Sequence, residues 1–85
     1  MFLVVWSDVA FDDMSRIVRA HPTRKREFAT ALRQIAHRLA TDPERVGESR
    51  DGGVRVMFAG EVSVFYRVDH SAQTVEIGNV RLRKS

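Results

Sequence analysis

Apolar and polar residues follow two different periods in the two halves of the chain. Residues 60–69 give the clearest strand signal, with Val62, Val64, Tyr66 and Val68 alternating with Ser63, Phe65 and Arg67. Two further strand-like runs flank it. In 53–59, Val54, Val56 and Phe58 alternate with Arg55, Met57 and Ala59; in 74–82, Val75, Ile77 and Asn79 alternate with Glu76, Gly78 and Val80. Ala59-Gly60 and the His70-Ser71-Ala72-Gln73 run read as hairpin turns. The run from Phe2 to Trp6, with β-branched Val4 and Val5, reads as a buried strand.

Between that strand and residue 53 the period changes. Ala10, Met14, Ile17 and Val18 share one helical stripe, with Ser7 or Asp8 placed to cap it and Asp12 and Asp13 near its positive end. His21-Pro22 breaks the helix and Pro22 suits the start of another. Phe28, Leu32, Ile35 and Leu39 then recur at spacings of four, three and four until Thr41-Asp42-Pro43. The two helices, joined so tightly, predict an antiparallel hairpin. Residues 44–53 form the one sizeable polar loop, with a short extended piece around Glu48 to Arg50. The predicted fold class is α+β, in the order β-α-α-β-β-β. An antiparallel sheet centred on 60–69 carries the helical hairpin on one face and leaves the other open.

Composition narrows the function. With 85 residues, the whole of 1–85 reads as a single domain with one modest core. The chain has no cysteine, which removes disulfides, thiol catalysis and cysteine-held metals together. No His/Asp/Glu spacing resembles a metal site and no motif asks for a cofactor. The apolar opening is cut off by Asp8, too short for a signal peptide or a span, so the expectation is a cytoplasmic protein without a membrane partner. The net charge is +3, and more than half of the 14 Lys and Arg residues lie between Arg16 and Arg45. Such clustering suits a polyanion or an acidic protein segment, although a solvated helix face gives the same pattern.

The ordered elements carry a resemblance to the RelE/ParE family of bacterial type II toxins over nearly the whole chain. The residues that carry it are Val5-Trp6-Ser7-Asp8-Val9-Ala10, Ala31-Leu32-Arg33-Gln34-Ile35, Asp42-Pro43, Gly47-Glu48-Ser49-Arg50, Gly53-Val54-Arg55-Val56, Val64-Phe65-Tyr66-Arg67-Val68 and Val80-Arg81-Leu82-Arg83. The resemblance implies a toxin neutralised by a cognate antitoxin. RelE-like members cleave mRNA on the ribosome and so inhibit translation; ParE-like members poison DNA gyrase without cutting RNA. A degenerate member that only binds antitoxin is a third outcome. Fold alone does not choose among these.

Metal-free RNA cleavage needs a base for the 2′-hydroxyl, a clamp for the phosphate and an acid for the leaving oxygen. Arginine clamps phosphate well and moves protons poorly. On the leading, mRNA-endonuclease reading, the resemblance makes Arg55 the best phosphate-binding candidate, Glu48 a candidate general base, and Arg67 and Arg81 further catalytic candidates. Arg50 and Arg83 become RNA-binding candidates. A basic open face formed by Arg55, Arg67, Arg81 and Arg83 is the expectation behind this reading. Each has a plainer alternative as a strand-end or loop side chain in solvent. Ser63 stands where RelE-like enzymes carry an arginine, three residues before Tyr66; Arg67 shares its face but lies about 13 Å further along. Tyr66, on the Val62-Val64-Val68 face, reads as core. The same basic face and the free sheet edges suit an acidic amphipathic antitoxin segment, with Arg55 and Arg81 as contacts.

Overall fold

The computed structural model describes residues 1–83. Its elements are β1 (Leu3–Trp6), α1 (Asp8–Ala20), a 3-10 turn (Pro22–Arg24), α2 (Lys25–Thr41), β2 (Glu48–Ser49), β3 (Arg55–Ala59), β4 (Val62–Asp69) and β5 (Thr74–Leu82). The strands form one sheet in the order β1-β5-β4-β3-β2. The expected α+β arrangement is therefore present, with β4 at the centre. The sheet is mixed rather than wholly antiparallel, because β1 lies parallel to β5.

Local chemistry explains where the helices begin and end. Ser7 caps α1: its Oγ accepts from the Ala10 N–H at 3.0 Å. Ala10 and Met14 are buried beneath α1, and Ile17 and Val18 pack at the margin of the same core. The His21 N–H closes the helix on the carbonyls of Ile17 and Val18 just before Pro22. Arg24 then fixes the entry to α2. Its guanidinium donates to Glu27 at 3.0 and 2.7 Å, reaches Glu61 on the β3–β4 turn, and lies 4.7 Å over the Phe28 ring. At the other end of α2, the Phe2 N–H bonds the Ala40 carbonyl at 2.7 Å. So α2 crosses the sheet from the β3–β4 turn to the start of β1.

Phe28, Ile35 and Leu39 are buried on the sheet side of α2. Each contributes roughly 1.5–3 kcal/mol by leaving water. They meet Met57, Val62, Val64, Tyr66, Val75, Ile77 and Val80, which face them from the sheet. No helix is long and apolar enough to cross a membrane among the described residues.

One register detail departs from simple alternation. Phe65 pairs with Asn79, but Tyr66 pairs with Ile77, so Gly78 is an extra residue in β5. This bulge turns Asn79 onto the open face beside Phe65 and sends Val80 into the core, the reverse of the expected assignment. The bulge occurs where β1 has run out. Beyond Ile77, side chains of the α1 region take over as partners: Ser7 Oγ donates to the Gly78 carbonyl at 3.0 Å, and Asp13 Oδ2 accepts from the Val80 N–H at 3.0 Å.

Candidate functional site

Cross-strand register decides which candidate side chains share a face. On β3, Arg55 lies opposite Tyr66, and Met57 opposite Val64. Arg55 therefore belongs to the helix-side face, not the open one. Its Nη2 donates to the carbonyls of Glu44 (2.6 Å) and Gly47 (2.8 Å), and its Nη1 to Ser49 Oγ (3.0 Å). Tyr66 supports the same loop from below, donating to the Pro43 carbonyl at 2.6 Å. Burial pushes the Tyr66 hydroxyl above the usual tyrosine range, and the neighbouring Arg55 pulls it partly back. A Cβ on Gly47 would fall on that hydroxyl, so only glycine fits there. Arg55 and Tyr66 together pin the loop between α2 and β3. This corrects the expectation that Arg55 joins Arg67, Arg81 and Arg83.

The open face carries a different set. One cross-strand row holds Phe58, Ser63 and Arg81; the next holds Val56, Phe65 and Asn79. Arg81 lies 5.7 Å over the Phe65 ring and Arg83 lies 5.0 Å over the Phe58 ring. Ser63 is 5% exposed and donates to the Arg81 carbonyl at 3.3 Å. Arg67, further along β4, donates to the Gly52 carbonyl and so ties the turn before β3. At the sheet edge Glu48 lies opposite Val56 and pairs with Arg50 at 3.2 Å. The structure thus brings Arg81 and Arg83 together, leaves Glu48 with Arg50 at the rim, commits Arg67 to a turn, and removes Arg55 to the other side.

The geometry adds a surface that periodicity did not suggest. An apolar groove of about 580 Å³ runs between the two helices, lined by Trp6, Phe11, Met14, Val18, Ala29 and Leu32. Arg19 and Lys25 stand on its rim. Leu32, on the apolar stripe of α2, packs at the margin of the core and lines this groove as well. Phe11, 69% exposed, sits off the α1 stripe and gave no sequence signal beyond being an aromatic outside the pattern.

The chain is thus a five-stranded mixed sheet with two helices on one face and Arg81 and Arg83 on the other. Residues 4–85 match the family model for the ParE toxin of the type II toxin-antitoxin system parDE, and the chain belongs to that family, within the RelE/ParE superfamily. Among solved structures, the RelBE2 toxin-antitoxin complex of Mycobacterium tuberculosis is similar at 27% identity and a TM-score of 0.77, covering 96% of this chain and 98% of that one. The chromosomal ParDE system of P. aeruginosa superimposes with a TM-score of 0.80 at 17% identity, covering 99% and 98%. The RelE–RelB complex of Pyrococcus horikoshii OT3 gives 0.60 at 18% identity, covering 96% and 94%. The comparison with curated proteins finds no match.

Proposed function

We propose that this toxin acts by binding its target and not by cutting RNA, as a ParE-like inhibitor of DNA gyrase held in check by a cognate antitoxin. The dispersal of the candidate catalytic side chains carries this reading. Arg55 is bound to loop carbonyls on the helix side, and Arg67 is engaged by Gly52. The cross-strand neighbours of Arg81 and Phe65 are Ser63, Val56 and Asn79. None of those three carries a proton to or from a substrate at neutral pH, and the carboxylate of the Phe65 row, Glu48, stands two strands away at the rim, paired with Arg50. The match to the ParE model supports the same branch.

The antitoxin reading rests on the helical groove. Its floor is apolar and its rim carries Arg19 and Lys25, which suits an acidic amphipathic helix. The neighbouring structures described as toxin-antitoxin complexes support a partner of that kind.

Two assays on purified protein test the mechanism. Added to gyrase, the protein should block supercoiling or trap broken DNA at micromolar concentration. Added to a cell-free translation reaction at the same dose, it should leave mRNA intact. Codon-positioned mRNA cuts with unaffected gyrase would sink the proposal and restore the endonuclease reading.

A further inference from the structure

Resting on the binding mechanism above, we propose that the open face of the sheet, centred on Phe58, Phe65, Arg81 and Arg83, is the target-engaging surface, and that it takes an acidic patch of a folded protein. The opposite face is occupied by the helices, so this is the one broad face of the sheet left to a partner. Phe58 is 41% exposed there, and Ser63, buried, lies between it and Arg81 in the cross-strand row.

The two arginines are held ready. Each guanidinium lies over a phenylalanine ring, at 5.7 Å for Arg81 and 5.0 Å for Arg83. Among the described residues the arginine ion pairs belong to Arg16, Arg24, Arg45 and Arg50. Arg81 and Arg83 are not among them, so within the described residues no carboxylate offsets either charge. A guanidinium held over a ring face still has N–H groups free to fork onto a carboxylate. Less side-chain freedom is then lost on binding. Arginine beside an exposed ring, Phe58, and a half-buried one, Phe65, is also the composition of protein-binding hot spots.

A nucleic-acid strand fits this face less well. Glu48 stands opposite Val56 at the sheet edge, and Glu76 stands opposite Arg67, both exposed. A polyanion following the sheet past the patch meets these carboxylates, whereas a compact acidic surface seated over the phenylalanines does not. The charge framing therefore favours a protein.

The test uses the full chain carrying Arg81→Glu with Arg83→Glu, and separately Phe58→Ser. Gyrase inhibition, growth arrest on expression, antitoxin affinity and melting temperature are measured on each. Both variants should lose gyrase inhibition by at least about tenfold, the scale of a hot-spot contact, while antitoxin affinity and melting temperature match the parent. Variants that inhibit like the parent overturn the proposal and leave the binding mechanism standing, as do variants that lose antitoxin and target together. If the parent itself leaves gyrase untouched, the gyrase reading fails, and growth arrest decides this surface. Arrest lost with antitoxin affinity intact supports it; undiminished arrest overturns it. Fluorescent single-stranded RNA and DNA oligonucleotides form the last arm. Tight binding at physiological salt that vanishes in the double variant would reassign the face to nucleic acid.

Discussion

The carboxylate of Asp13 accepts a hydrogen bond from the backbone N–H of Val80 at 3.0 Å, joining points 67 residues apart. It acts as a ladder partner for β5 where β1 has ended. Asp13→Ala should leave that part-buried N–H unpaired and cost about 1–3 kcal/mol. Asp13→Asn keeps an acceptor and loses the pair with Arg16, whose side chain is 60% exposed; such a pair is worth only about 0–1 kcal/mol. Urea unfolding of the two variants should separate them clearly, and equal losses would show that charge, not acceptance, matters at this position.

Tyr66 sets a pH dependence. An unfolded tyrosine loses its proton near pH 10.0, and burial places the folded value higher. Between the two, the folded chain holds a proton that the unfolded chain has released. The contribution to stability is therefore complete below about pH 10 and falls as pH rises through the folded value. Tyr66→Phe should abolish this alkaline slope. It should also lower stability at neutral pH by about 1–3 kcal/mol, because the Pro43 carbonyl loses its donor. Chemical denaturation between about pH 8 and 11 reads both effects.

Arg24 joins Glu27, Glu61 and the Phe28 ring at the entry to α2. Its hydrogen bond holds the Glu27 carboxyl below its usual range, so this contribution is present at neutral pH and fades as pH falls through the lowered value. Arg24→Ala should loosen the first turn of α2 and spare the central strands. Amide exchange in that turn should rise by about tenfold, as local opening there becomes easier, while the amides of Val64 and Ile77 stay protected. Uniform acceleration across the chain would instead mean that the residue supports global stability.

Phe11 offers a probe of the helical groove. At 69% exposure it is cheap to replace: Phe11→Glu should alter folding stability by no more than about 0.5 kcal/mol. A carboxylate introduced there opposes an acidic antitoxin helix, and affinity should fall by about tenfold or more, equivalent to about 1.4 kcal/mol. Calorimetric titration with the antitoxin gives the answer; undiminished affinity would place its seat elsewhere.

Ser63→Arg places an arginine where the resemblance to RelE-like enzymes implies one. It should not confer RNA cleavage, because Arg55 remains on the helix side and no proton carrier joins the row. A cell-free translation assay that showed new mRNA cuts with this variant would contradict that account.

Most of the fold was legible in the sequence because its signals were local. Alternation named β3, β4 and β5, the Ser7-Asp8 pair announced the start of α1, and Pro22 and Pro43 marked the breaks. The bulge at Gly78 was not legible, since it depends on β1 ending at Trp6 and on Asp13 reaching across from α1. The face of Arg55 was hidden for another reason. Val56 and Met57 are both buried, one on each side of the sheet, so β3 is apolar on both faces and alternation carries no direction. The stacking of Arg81 and Arg83 needed the register itself, although Phe65 was already assigned to the Ser63 and Arg67 face.

The bulged end of β5 carries one more consequence. A strand end without a neighbour is a template on which another chain can polymerise. Ser7 and Asp13 occupy its hydrogen-bonding positions at Gly78 and Val80, and thereby deny that template to other copies of the toxin. The same two side chains that position α1 thus also close the sheet where its edge strand runs out.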